Sequence, residues 1–280
     1  MPASQGVDRF RTVELSDPAF EHDGLRALTL HSPALRGRGD VSLFVPVECE
    51  SSSNVPIVVL LHGVYGSHWA WFLKGGAHRT AQRLIDQGRT RPMIIASPSD
   101  GLAGDGTGYI QQVHHDYERW ICDDVVDCVA ALFPFTGPER CVFIAGLSMG
   151  GYGALRIGSK YSNRFLGISA HSAITCIEQM DDFVYEPLRI DAVSREDLDI
   201  LHWMRLHRDS IPPVRFDCGS DDQLFAANVR LHEELTRLGV EHQFAANAGD
   251  HSWPYWQTHV EHTLLFFEHI LRTHEARSGD

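Results

Sequence analysis

The apolar run Cys141-Val142-Phe143-Ile144-Ala145 leads straight into Gly146-Leu147-Ser148-Met149-Gly150-Gly151, and the helix-forming Tyr152-Gly153-Ala154-Leu155-Arg156-Ile157 follows without a gap. A buried strand that becomes a helix within so few residues must turn sharply. Glycines on either side of the serine permit the turn because no Cβ obstructs it. The serine hydroxyl is thereby pushed out at the carboxyl end of the strand, where a second molecule can meet it. Gly-x-Ser-x-Gly is short enough to arise by chance, so most of the information lies in the strand before it and the helix after it.

The rest of the chain repeats that alternation. Leu25 to Ser32 and Val41 to Val47 are predicted as an antiparallel lead-in. Ile57 to Leu61 is a continuous apolar run of the kind buried on both faces of a sheet. Met93 to Ala96, Cys141 to Ala145, Phe165 to Ala170, Val214 to Cys218 and His242 to Ala246 continue the strand series. Helical patterns lie between them at His78 to Gln87, Tyr117 to Leu132, Gly150 to Lys160, Leu224 to Leu238 and Tyr255 to Thr273. This order predicts an α/β fold, a mostly parallel sheet with helices on both faces and sites at the strands' carboxyl ends. No repeat or long linker divides the 280 residues, so a single domain over 1–280 is expected. The stretch Ile174 to Pro212 is too long for an ordinary connection, and is expected to be a lid or substrate-binding insertion over the site.

Bulk properties narrow the function. A net charge of −13 argues against a nucleic-acid or anionic-membrane partner, which would need clustered Lys and Arg. No apolar run approaches the ~20 residues that span a bilayer. Met1 to Val13 is polar and carries no signal-like apolar core, so a cytoplasmic location is expected. The six cysteines lack C-x-x-C spacing and read as reduced, packed thiols. Among 17 histidines none has metal spacing and H-E-x-x-H is absent, so neither a metal nor another cofactor is expected. A homo-oligomer is compatible with the sequence.

A serine nucleophile needs a base for its proton and a carboxylate to orient that base. Downstream of Ser148, the strand ending at Cys218 runs into Gly219-Ser220-Asp221-Asp222, which is where the acid belongs. One helix and one strand later comes Ala248-Gly249-Asp250-His251-Ser252-Trp253, which is where the histidine belongs. His259, His262, His269 and His274 fall on the terminal helix, and His114 and His115 fall in a loop with nothing to place them beside Ser148. An oxyanion site needs backbone N–H groups. Met149, directly after the serine, is one expected donor. Val64, in the turn Leu61-His62-Gly63-Val64-Tyr65-Gly66-Ser67, is the other.

With those residues in view, the chain resembles the esterase D-like branch of the α/β-hydrolases, most closely its short-chain tributyrin-esterase type. The resemblance spans nearly the whole chain. It rests on Leu60 to Ser67 with Trp71, Gly108-Tyr109, Tyr117-Glu118, Gly146 to Leu155, and Cys218-Gly219 through His251-Ser252-Trp253-Pro254-Tyr255-Trp256. It implies that Asp222, rather than Asp221, is the acid and that His251 is the base. It also implies a cofactor-free serine carboxylesterase that hydrolyses small acyl esters through an acyl-enzyme. Gly63, Tyr65, Trp71 and Trp253 are expected to contact the small-molecule ester. Relatives in the branch hydrolyse S-formylglutathione or feruloyl and acetyl sugar esters, or transfer acyl groups. The loops His62 to Gly66 and Asp250 to Trp253 depart from the S-formylglutathione hydrolase pattern, which makes a glutathione thioester the weaker alternative. A non-catalytic binding protein would be expected to have lost part of this set. Trp69, Trp71, Phe72, Phe183, Tyr185, Trp203, Trp253, Tyr255 and Trp256 are expected to wall a small cleft that favours short acyl chains.

Overall fold

The computed structural model describes residues 9–190 and 193–278. Nine strands form one sheet: β1 (Val13–Leu15), β2 (Leu25–Ser32), β3 (Gly37–Phe44), β4 (Ile57–Leu61), β5 (Ile94–Pro98), β6 (Val142–Leu147), β7 (Gly167–His171), β8 (Val214–Gly219) and β9 (His242–Asn247). Their order is β1-β2-β3-β5-β4-β6-β7-β8-β9. β1, β2 and β3 form the antiparallel lead-in, β3 pairs antiparallel with β5, and β5 through β9 are parallel. The helices are α1 (Ala70–Leu73), α2 (Ala77–Asp86), α3 (Tyr117–Arg119), α4 (Val126–Leu132), α5 (Met149–Lys160), α6 (Arg195–Leu198), α7 (Ile200–Leu206), α8 (Phe225–Leu238) and α9 (Trp253–Ser278). A π-helical stretch, Trp120–Val125, joins α3 to α4.

The period-two geometry of a strand assigns alternate residues to opposite faces. In β4, Ile57, Val59 and Leu61 join one core cluster while Val58 and Leu60 join the other. The first cluster packs beneath α5, α7, α8 and the 117–132 helical run, and the second beneath α1, α2 and α9. Both faces of β4 are therefore dry, which is why its sequence is apolar throughout. β5 lies on one side of β4 and β6 on the other, so the strand order reverses there. A crevice opens at the carboxyl ends of strands flanking such a reversal.

Some boundaries differ from the predicted ones for physical reasons. β3 starts at Gly37, four residues before Val41, because backbone pairing with β2 continues from Leu25↔Phe44 to Ser32↔Gly37 despite the polar Arg38 and Asp40. It ends before Pro46, which has no N–H to continue the ladder. The edge strand β1, only three residues long, leaves no periodic signal. β7 extends one residue past Ala170 to His171, whose imidazole lies within 2.9 Å of Asp217 on β8. Gly219 is followed by Ser220, Asp221 and Asp222 at the carboxyl end of β8, and Trp253 opens α9 directly after the loop that bears His251.

Candidate active site

Ser148 lies between the last residue of β6 and the first of α5, with φ 53° and ψ −118°. Non-glycine residues rarely occupy this region, and the strain is maintained by the surroundings. Ser148 N–H donates to the His171 carbonyl (3.0 Å), and its own carbonyl accepts from Tyr152 N–H (3.0 Å) and Ile174 N–H (3.2 Å). The two glycines are sterically required. A Cβ on Gly146 would lie 2.2 Å from the Gly150 carbonyl oxygen, and one on Gly150 would lie 2.4 Å from that of Leu61. The Gly-x-Ser-x-Gly spacing thus follows from the close approach of β6, α5 and the loop after β4.

Three side chains from three separate strand ends meet at this turn. Ser148 Oγ is 3.0 Å from His251 Nε2, and His251 Nδ1 is 2.9 Å from Asp222 Oδ2 and 3.1 Å from Oδ1. An ionised carboxylate only accepts, so Nδ1 carries the imidazole proton and Nε2 is free to accept from the serine hydroxyl. Burial opposes the charge on Asp222, yet hydrogen bonding and attraction to His251, the Leu224 N–H (2.8 Å) and Ser172 together hold its carboxyl below the usual carboxylate range. Asp221 is exposed and its N–H donates to the Gly249 carbonyl, so the structure brings Asp222 and not Asp221 to the imidazole. His251 is further enclosed by the Phe183 ring at 5.4 Å and the edge of Trp256 at 5.0 Å.

A cavity of about 600 Å³ opens above Ser148 and is lined by Gly63, Val64, Tyr65, Phe183, His251 and Trp253 among others. Among the described residues, neither Val64 N–H nor Met149 N–H donates to a protein acceptor. Met149 also begins α5, whose helix dipole favours negative charge there. Trp71 requires a correction. It is fully buried, its indole N–H donates to the Leu61 carbonyl at 2.8 Å, and it stands edge-on behind Trp253 at 5.8 Å instead of lining the cavity. Of the other aromatics expected at the cleft, Trp69, Phe183, Trp253 and Trp256 line it. Phe72 and Tyr255 are core, Tyr185 projects into solvent, and Trp203 packs over Lys160 at 5.2 Å on α5. Periodicity could not separate these, because a ring in a loop reads the same whether it points inward or outward.

Sequence reasoning passed over His62 and Asp105, and expected Trp256 only as part of the cleft wall. His62 and Trp256 stand beside recognised motif residues, and only the paths of their side chains reveal what they touch. Trp256 Nε1 donates to Ser172 Oγ at 3.1 Å behind the acid. The Asp105 carboxylate accepts from Tyr185 N–H at 2.7 Å, tying the 100–110 loop to the segment that carries Phe183. All six thiols are unpaired, and Cys176 is the exposed one. Among the described residues no group of three or more His, Cys, Asp or Glu side chains could hold a metal ion, and no helix is long and apolar enough to cross a membrane.

A nine-stranded, mostly parallel sheet with a strained serine between β6 and α5, aligned with a histidine and an aspartate from later strand ends, defines an α/β-hydrolase fold with a serine-hydrolase site. Residues 32–267 match the family described as "Putative esterase", and the chain belongs to that family. It is 27% identical over 238 residues to an acetyl esterase of Caldicellulosiruptor saccharolyticus, covering 78% of this chain and 85% of that one. A ferulic acid esterase structure aligns with TM-score 0.76 and 25% identity, over 92% of this chain and 98% of that one. An S-formylglutathione hydrolase of Staphylococcus aureus shares the fold, with TM-score 0.73 and 20% identity over 91% and 99% of the two chains. The protein is a carboxylic ester hydrolase of the serine-esterase class.

Proposed function

We propose that the protein is a cofactor-free carboxylesterase for small, short-chain acyl esters. Ser148 attacks the ester carbonyl while His251 Nε2 takes the hydroxyl proton, and Asp222 holds the imidazole and balances its charge. The Val64 and Met149 amides receive the oxyanion. The tetrahedral intermediate collapses to an acyl-Ser148 ester as His251 returns the proton to the leaving alcohol. Water, deprotonated by the same imidazole, then releases the acid. The observation that carries this reading is the unbroken Ser148–His251–Asp222 line beneath two unpartnered amides.

The acyl preference rests on the aromatic wall. Trp253 is backed by Trp71 at 5.8 Å and by Trp256 at 5.2 Å, so it has little room to retreat. A methylene that fits contributes about 0.8 kcal/mol, whereas one that must displace packed rings costs more. The acetyl esterase relative agrees with a short acyl group. The chain is read as one domain in which 174–212 is a substrate-binding insertion that brings Phe183 to the cavity. A second reading is favoured by the rim, where exposed Tyr65 and Trp69 stand with Asp221, Gln223 and Asp250: rings and acceptors that suit a hydroxylated, sugar-like alcohol. Measuring kcat/KM for p-nitrophenyl esters from acetyl to decanoyl tests the first reading, which expects a peak at acetyl to butyryl and a fall by octanoyl. A kcat/KM that keeps rising to decanoyl contradicts it. An acetylated sugar compared with ethyl acetate tests the second.

A further inference from the structure

The loop after β4 contains a histidine whose hydrogen bonds fix its protonation state and, through it, the direction of one peptide plane. His62 is 1% exposed. Its Nε2 lies 3.1 Å from the backbone N of Asp100, and its Nδ1 lies 2.8 Å from the Gly63 carbonyl oxygen. A backbone N–H only donates, so Nε2 must be the bare acceptor. The ring proton is then on Nδ1, donated to Gly63 O. The same carbonyl accepts from Gly66 N–H at 3.2 Å, so two donors hold it on one side. In a trans peptide the C=O of one residue and the N–H of the next point in opposite directions. Holding Gly63 O against the imidazole therefore turns Val64 N–H away from it, toward the cavity that Val64 lines.

From this geometry we propose that His62 is a positioning residue for the oxyanion site: its neutral, Nδ1-protonated ring aims the Val64 amide at the substrate carbonyl oxygen. The proposal rests on the reading of Val64 as an oxyanion donor. The ring's own surroundings support the same state. Burial lowers the pKa of His62, against the opposing pull of the Asp100 carboxylate and the Gly63 carbonyl. A second proton, on Nε2, would set that N–H against the N–H of Asp100. The other groups facing the ring or its backbone are His68, which carries like charge if protonated, and Tyr109, edge-on at 5.9 Å with its hydroxyl donating to His62 O at 3.0 Å. The Asp100 carboxylate is itself engaged by Leu102 N–H (3.0 Å) and Thr107 N–H (2.8 Å), with its Oδ1 3.9 Å from Nε2. The ring is thus locked on both edges.

Four variants assayed on p-nitrophenyl acetate separate positioning from plain support of the fold. His62→Phe keeps the bulk but removes both hydrogen bonds. His62→Asn keeps a donor near the place of Nδ1. Val64→Pro deletes the amide hydrogen, and the double variant combines His62→Phe with Val64→Pro. His62→Phe is expected to lower kcat about 10- to 100-fold with KM changed less than about two-fold, a part of the ~10²–10³-fold that loss of a whole oxyanion donor costs. His62→Asn is expected to recover most of that loss. In the Val64→Pro background, His62→Phe is expected to cost less than about two-fold, because the group it aims is already gone. An equal cost of His62→Phe in both backgrounds, or no recovery in His62→Asn, overturns the positioning role and leaves the Val64 reading intact. Full turnover in Val64→Pro overturns the Val64 reading, and the positioning proposal with it.

Discussion

At the scale of single residues, chemistry depends on which side chain reaches which atom. Ser148→Ala is expected to lower ester turnover by about 10⁴- to 10⁶-fold while leaving the fold intact, since removing one member of a cooperating triad forfeits nearly the whole effect. Wild type should also be labelled by a fluorophosphonate on Ser148 alone, and an adduct mapped to another residue would remove Ser148 from the role. Adjacent residues leaving a strand point in different directions. Asp222→Asn should therefore cost about 10⁴-fold in kcat through loss of the imidazole's orientation and charge partner. Asp221→Asn, altering an exposed carboxylate at the rim, should stay within a few-fold. The reverse order in steady-state kinetics would reassign the acid. Ser148 stands out in the sequence at the end of an apolar run, whereas Asp222 and His251 follow strands that carry charged and polar residues and are expected from their order after the serine, with the choice of Asp222 over Asp221 resting on the family resemblance. Trp71 was misjudged for a physical reason: its backbone follows the oxyanion loop, but its indole turns under the sheet to bond Leu61 O.

At the scale of elements, β7 and β8 carry a second, wholly buried polar pairing below the elbow. Asp217 lies 2.9 Å from His171 Nδ1 and 2.8 Å from Arg215, and accepts from the Tyr255 hydroxyl at 2.8 Å. Burial alone would raise the pKa of Asp217, but attraction to His171 and Arg215 and the hydrogen bonds from His171 and Tyr255 hold it far below the usual carboxylate range. The sign of the linkage follows. A carboxyl depressed in the folded state contributes stability that is fully present above its unfolded pKa of about 3.9 and is lost as pH falls through the folded value. Asp222 is depressed in the same direction, so acid unfolding should steepen below about pH 4. Asp217→Asn should destabilise the protein by about 3–5 kcal/mol near neutral pH, because Arg215 remains buried without its counter-charge and His171 Nδ1 loses its carboxylate hydrogen-bond partner. It should also flatten the dependence of unfolding free energy on pH below about 4. Urea titrations between pH 2.5 and 7 would check both, and an unchanged slope in the variant would show that Asp217 does not carry the acid sensitivity. The sequence concealed this pair because a lone His or Asp in a strand carries no mark of its partner on the neighbouring strand, 46 residues further along the chain.

For the whole molecule, the segment 174–212 is fastened at two places of different kind. Its far half is clamped to α5: Asp197 bridges Arg156 (2.6 Å) and Lys160 (2.5 Å), both of which also bind Glu118, and Tyr152 donates to Leu198 O at 2.8 Å. Its near half is held over the cavity mouth by the Asp105 carboxylate and by the Tyr65 hydroxyl, which donates to Phe183 O. Arg156 is completely buried, so Asp197→Ala should cost about 1.5–3 kcal/mol in unfolding free energy, the value of a hydrogen bond to a buried charge. The effect on KM should be small, because Asp197 does not line the cavity. Asp105→Ala should do the opposite, raising KM several-fold with little change in Tm, because the bonds it loses are exposed and hold only the mouth. Thermal melts and Michaelis curves on the two variants would separate these outcomes, and a Tm loss confined to Asp105→Ala would refute the assignment.

What the sequence by itself determined is the architecture and the order of the chemistry. Continuous apolar runs can be stable only where both faces of a strand are buried, and a glycine-flanked serine between strand and helix can adopt only a tight turn. Those two local rules sufficed for the central parallel strands and the elbow, while the loops of Asp222 and His251 were reached through the order of strands and helices after the serine. What only the tertiary structure decided is which side chains converge. The orientation of Val64 N–H depends on His62 meeting Asp100, 38 residues away, and the enclosure of His251 depends on Phe183 arriving from a segment with no strong periodicity. Hydrophobic patterning specifies burial, which is local and non-directional, whereas a catalytic hydrogen bond requires two distant backbones to come together within a few tenths of an ångström. That accuracy arises only when the whole core has packed.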